Sequence, residues 1–183
     1  LILMLSLPAN ANIETIEYLG SQIESFLFYS NTLGIDAKNN ERLFSQWVEK
    51  LRWANNVNDV SVAIESSFLP YLLEKFGLFK QTFLTIRHDA YAPQYRERFI
   101  LGRLENTALE YCGFQKKGRQ FFNGLQIEHI FPQTPKDGVL SSEFEDKYAY
   151  YNMVYRLGNV TLLESVINQA VNKFNDLNGD WFK

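Results

Sequence analysis

Apolar positions recur at spacings of three and four through the first two-thirds of the chain, and then the pattern changes. Ile13, Ile16, Leu19, Ile23 and Phe26-Leu27 mark an amphipathic helix of about five turns, with Asn12 placed to cap it. A short apolar run, Leu1 to Leu7, precedes it and is broken by Pro8 to Asn12. Asn31 to Asn40, with Gly34, reads as a loop. Leu43-Phe44, Trp47-Val48 and Leu51 predict a second helix that ends by Asn55-Asn56. Asp59 is placed to cap a third segment carrying Val60, Ile64, Phe68, Tyr71-Leu72 and Phe76 on one face, with Pro70 to kink or split it and Gly77 to end it. Phe79 to His88 reads as a shorter helix or an irregular bridge. Pro93 stands where a first-turn proline belongs, ahead of a helix over Tyr95, Phe99-Ile100, Leu104, Ala108-Leu109 and Cys112 that stops at Gly113.

Beyond Gly113 the helical period is lost. Phe121-Phe122 and Leu125 to Phe131 are short apolar runs separated by the turn signal Asn123-Gly124. Gln133 to Gly138 is a Pro/Gly loop, and Ser141 to Tyr151 predicts a short helix capped by Ser141 or Ser142. Met153 to Leu162 predicts a second strand interrupted at Gly158-Asn159, and Glu164 to Phe174 a final helix. The expected fold is therefore mostly α: a helical N-terminal region, residues 1–115, packed on a C-terminal strand-strand-helix unit, residues 116–183.

Composition adds little to this picture, and charge adds more. The 15 Phe, 10 Tyr and 3 Trp predict a ring-rich core, and aromatic positions at helical spacing are read as core rather than as a base-stacking platform. The net charge of −3 advertises no global field for nucleic acid. Residues 93–123 are the exception, with six basic side chains (Arg96, Arg98, Arg103, Lys116, Lys117, Arg119) and three acidic ones, Glu97, Glu105 and Glu110. This basic segment leads into the apolar run at Leu125, where it suits an approaching phosphate backbone. The single cysteine, Cys112, excludes a disulfide or cysteine-based zinc framework and fits a cytoplasmic location. No run approaches the ~18 apolar residues needed to span a bilayer, so no membrane partner is expected. Leu1 is not a methionine, and Leu1 to Leu7 lacks the basic start of a signal peptide, so the run reads as the end of a buried helix inside a longer protein.

Three pieces of the tail carry chemistry: Glu128-His129 at the end of an apolar run, Gly158-Asn159 at a turn, and Asn168 on the last helix. Phosphodiester hydrolysis needs an activated water and a cation at the phosphate. A histidine can take the proton near neutral pH, which assigns His129 as general base. A carboxylate and an amide carbonyl are hard oxygen donors that suit Mg²⁺, which assigns Glu128 and Asn168 as ligands. Neighbours on a strand face opposite sides, so Glu128 and His129 can serve one site only if the strand ends or distorts there. Asn159 would hold the backbone that positions His129, and Arg156 is a candidate phosphate contact. His88 has no motif around it and reads as structural.

The order Glu128-His129, Asn159, Asn168 resembles an HNH, or ββα-metal, nuclease. The wording Ile127-Glu128-His129-Ile130-Phe131-Pro132-Gln133, then Arg156-Leu157-Gly158-Asn159-Val160-Thr161-Leu162-Leu163, then Asn168 with Asn172-Lys173-Phe174, is similar to the C-terminal HNH domain of GmrSD-type restriction proteins. Those are bacterial anti-phage systems that attack modified foreign DNA, and phosphorothioation-linked defence nucleases share the domain. The resemblance implies a DNA endonuclease using Mg²⁺, with Mn²⁺ able to substitute, and adds Asn172 and Lys173 to the substrate contacts. It further implies modified foreign DNA as partner, an upstream nucleotide-hydrolysing domain of the same protein, and a homodimer where both strands are cut. Three departures stand out: Val160 replaces a favoured Leu, a lysine usual shortly after Asn172-Lys173-Phe174 is absent, and so are the cysteine pairs of zinc-stapled relatives. The rival assignment is a catalytically silent DNA- or protein-binding module on the same scaffold.

Overall fold

The computed structural model describes residues 2–87 and 95–171, with the side chain of Tyr95 left aside. His88, Pro93, Asn172, Lys173 and Phe174 lie outside the described residues, and with them the structural reading of His88 and the expected contacts of Asn172 and Lys173. The chain is mostly helical with one two-stranded sheet, and it divides into two compact units, Leu1–Leu84 and Thr85–Lys183. The change of periodicity had placed a boundary at 115/116; the long helix before Gly113 groups with the second unit.

The first unit holds α1 (Ile2–Leu5), α2 (Ile13–Thr32), α3 (Ala37–Leu51), α4 (Val57–Glu65), α5 (Phe68–Glu74) and α6 (Phe76–Leu84). Asn12 caps α2 as the sequence predicts, its side chain accepting from the Thr15 N–H at 2.8 Å. The expected loop at Asn31 to Asn40 is shorter than predicted, because Asp36 accepts from the Asn39 N–H at 2.7 Å and starts α3 early. Asn56, not Asp59, caps α4: its side chain accepts from the Asp59 N–H at 3.0 Å, while the Asp59 carboxylate accepts from the Asn55 N–H at 2.9 Å. This reciprocal arrangement satisfies two backbone donors with two side chains. The break in the third segment falls at Ser66-Ser67, so Pro70 sits in the first turn of α5, where a missing N–H costs nothing. Gly77 lies inside α6 and ends nothing. The core is built around Phe26, whose ring meets Phe44, Trp47 and Phe68 at 5.2–5.3 Å between centroids.

The second unit begins with the pair Ile86-Arg87 and continues with α7 (Tyr95–Tyr111), α8 (Arg119–Asn123), β1 (Gln126–His129), α9 (Lys147–Val154), β2 (Val160–Leu163) and α10 (Ser165–Val171). Phe121-Phe122 belongs to the short α8, too brief to show a period. α9 starts six residues later than Ser141 because Asp146 is the cap, accepting from the Ala149 N–H at 2.7 Å. It also takes Met153 and Val154 from the predicted strand, which shrinks to β2. β1 and β2 are antiparallel, with Gln126 opposite Leu163, Ile127 opposite Leu162, Glu128 opposite Thr161 and His129 opposite Val160.

α7 and α8 pack where a glycine allows it. A Cβ on Gly102 would lie 2.9 Å from two ring carbons of Phe122, which is buried. Those atoms are the body of a ring, not a flexible tip, so Gly102→Ala should force a backbone shift. Overpacking should cost about 1–3 kcal/mol against about 1 kcal/mol gained from helix propensity, so we expect a net loss of up to about 2 kcal/mol in urea unfolding. A variant as stable as wild type would mean that the two helices slide apart freely.

Candidate active site

β1 stops at His129, the position at which the sequence required it to stop or distort. The ladder closes with the Ile130 N–H on the Asn159 carbonyl at 2.8 Å. The next rung is made by a side chain. Asn159 Oδ1 accepts from the Phe131 N–H at 2.8 Å, and its Nδ2 donates to the Phe131 carbonyl at 3.0 Å and to the Val154 carbonyl at 2.9 Å. The amide orientation is forced, since an N–H faces one end and two carbonyls face the other. Asn159 is 1% exposed and all three of these bonds are internal, so it ties the residues after His129 to the end of α9.

Tyr150 adds a second tie. Its hydroxyl donates to the Pro132 carbonyl at 2.5 Å from a fully buried position in α9. Burial, reinforced by neighbouring Tyr151, pushes this phenol up to about 12, so it remains a donor at any physiological pH. Phe131 packs against Phe144 and Tyr150, which form a small core with Val154 and Leu140. The turn after His129 is thus held at two successive carbonyls and packed on one ring.

The His129 ring is partly buried, and the Gln133 amide nitrogen lies 3.3 Å from its Nε2. Glu128 is also partly buried. Desolvation holds its carboxyl above the ordinary value of 4.5, with the His129 backbone acting weakly the other way. The ionised form of Glu128 is therefore penalised in the folded chain.

Asn168 is brought to β1 by α10. Its Nδ2 donates to Gln126 Oε1 at 2.6 Å, and Gln126 shares a strand face with Glu128 two residues on. Asn168 is buried, and its Oδ1 has no hydrogen-bond partner among the described residues. An orphaned buried acceptor costs about 1–3 kcal/mol, so it needs an explanation. Gln126 was not picked out from the sequence, although its spacing from Glu128 was a usable signal. Among the described residues no three His, Cys, Asp or Glu side chains gather as a metal-binding group. A cation here would rest on one carboxylate, one amide oxygen and water, the donor set of a hard ion such as Mg²⁺.

Arg156 is exposed and precedes the 3-10 turn Leu157–Asn159. It is positioned by a backbone bridge to Arg87, next to a bond from the Leu157 N–H to the Ile86 carbonyl at 3.2 Å. Arg87 itself is held, donating to Asn152 Oδ1 at 3.3 Å and lying 5.4 Å over the Tyr155 ring. Arg87 is a second guanidinium beside this turn that the sequence reading missed.

The comparison with protein families places the chain in a class of restriction endonucleases. Residues 78–181 match the family described as GmrSD restriction endonucleases, C-terminal domain. The chain belongs to that family. The match takes in most of α6 and nearly all of the second unit, and it leaves residues before 78 outside. No curated protein and no solved structure matches the chain. Among the described residues no helix is long and apolar enough to cross a membrane.

Proposed function

We propose that β1, β2 and α10 form an HNH-type ββα-metal unit, and that the chain is the metal-dependent DNA endonuclease domain of a bacterial anti-phage restriction protein. The observation that carries this reading is the buried Asn168 Oδ1, without a partner among the described residues, delivered by α10 to the strand that ends in Glu128-His129. In it, Glu128 and Asn168 hold Mg²⁺, or Mn²⁺ in its place. The ion, when bound, would neutralise charge at the scissile phosphate and on the departing 3′ oxygen.

His129 takes the proton from the attacking water, with its ring steadied by Gln133. Asn159 makes no contact with substrate in this scheme; it fixes the backbone from which His129 projects. Arg156 forks onto phosphate oxygens, with Asn172 and Lys173 as further phosphate contacts. Attack opposite the 3′ oxygen leaves 5′-phosphate and 3′-hydroxyl ends. The substrate is DNA, modified foreign DNA in particular. An upstream nucleotide-hydrolysing domain of the same protein would be its partner, two copies would cut both strands, and the reaction would take place in the cytoplasm.

The test is plasmid nicking with Mg²⁺, Mn²⁺ or EDTA, read together with melting of the chain. Cutting should need the ion. The ion should also raise Tm in wild type and leave Glu128→Gln and Asn168→Ala unmoved. In EDTA the sign reverses for Glu128→Gln. A raised carboxyl contributes stability below its ordinary value and loses it as pH rises through the folded value, so removing the charge should stabilise the apo chain near neutral pH and do nothing below about pH 4. Equal metal-induced shifts in wild type and both variants would remove Glu128 and Asn168 as ligands.

A further inference from the structure

We propose that the turn joining α7 to α8 is a docking platform for unpaired DNA. The proposal rests on DNA being the substrate, but on neither His129 nor a metal. The chain leaves α7 at Gly113, whose φ of +78° lets the path reverse. Asn106 then clamps the returning segment: its Oδ1 accepts from the Lys117 N–H at 2.7 Å and its Nδ2 donates to the Lys117 carbonyl at 2.9 Å. A turn pinned at both polar groups of one residue presents its side chains in fixed positions.

Those side chains are rings and cations. Tyr111 is 93% exposed, Phe114 67% and Phe121 44%, contrary to the expectation that aromatic positions serve the core. Phe121 is braced edge-on by the buried Phe122 at 5.4 Å, and the Lys117 ammonium lies 5.7 Å from its centroid. Lys116 pairs with Glu110 at 2.8 Å, with both side chains more than half exposed, so a phosphate can displace the carboxylate at little cost. Arg119 opens α8.

Exposed rings interleaved with cations match a single strand, whose bases offer π-faces and whose phosphates offer charge. A duplex keeps its bases stacked inside and would use only the cations, which leaves the three rings without a role. α8 ends at Asn123 and β1 begins at Gln126, so the platform leads directly into the strand that carries Glu128 and His129.

The experiment is fluorescence anisotropy of a labelled oligothymidylate about a dozen nucleotides long, against a duplex of equal length, in EDTA. Wild type should prefer the single strand. Tyr111→Ala with Phe114→Ala should weaken that binding roughly tenfold or more and leave duplex binding unchanged. Lys116→Ala with Lys117→Ala should lower the slope of log affinity against log salt by about 1.4 for the single strand. All four side chains are on the surface, and an unchanged melting curve would verify the fold. Equal affinity for single strand and duplex, no binding of either, or full affinity in the ring variant would each overturn the platform. A chain that binds through these rings yet never cuts plasmid refutes the nuclease reading alone. One that cuts while the ring variant binds normally refutes the platform alone.

Discussion

Asn159→Ala is expected to cost the second unit about 3 kcal/mol and to abolish plasmid cutting. The side chain makes three internal hydrogen bonds, and each partner left unpaired in a buried place costs about 1–3 kcal/mol before any water enters. For a unit of this size that is a drop in Tm of roughly 12 °C or more. Asn159→Asp sharpens the argument, because it keeps the shape and the bond from the Phe131 N–H. It loses both donations and sets a carboxylate against the Phe131 and Val154 carbonyls, so it should destabilise at least as much as alanine. Urea unfolding of the two variants decides the matter. A loss under about 1 kcal/mol in both would show that the turn after His129 holds itself, and that Asn159 is not its lock.

His129→Ala has the opposite profile. It should lower cutting by about 10²–10⁴-fold, the usual contribution of a positioned general base. Stability should move by less than about 1 kcal/mol, because the ring is partly exposed at a strand end. The metal-induced rise in Tm should survive, since Glu128 and Asn168 remain. Cutting that persists in this variant would remove His129 as the base. Loss of the metal shift together with activity would make the imidazole a ligand instead.

Much of the helical half was legible because a 3.6-residue period leaves a regular trace over fifteen or more positions. The differences there lie at helix ends: Asp36 starts α3 early, Asn56 rather than Asp59 caps α4, and the break expected at Pro70 and the end expected at Gly77 are replaced by a break at Ser66-Ser67. The two caps were readable as Asx residues three positions ahead of an N–H. α8 was missed because five residues cannot show a period. Met153 and Val154 were drawn into a strand because apolar runs of that length are ambiguous without the cap at Asp146.

At the site, motif order and wording pointed to Glu128, His129, Asn159 and Asn168 together, and local rules could have added Gln126. Two features lay beyond local reading. The Tyr150 hydroxyl on the Pro132 carbonyl joins positions eighteen apart, and the missing partner of Asn168 Oδ1 is a property of packing. The exposed rings of Tyr111, Phe114 and Phe121 went unread for the same reason: composition says how many rings there are, not which of them a core has room for.

The two strands of the sheet are paired across the stretch 130–159, which contains all of α9. Relative to a two-residue hairpin, closing that stretch costs about 2 kcal/mol more in chain entropy. Contacts so distant in sequence form slowly, and they form only after something has shortened the gap. α9 does so, because Tyr150 in its middle holds Pro132 just after β1 and Val154 at its end holds Asn159 just before β2. The expected order of assembly is that the helix docks before the strands pair. On the proposed reading, Glu128 and His129 would reach their working geometry only once α9 has docked, so a half-folded chain would carry the residues of a nuclease without the means to cut.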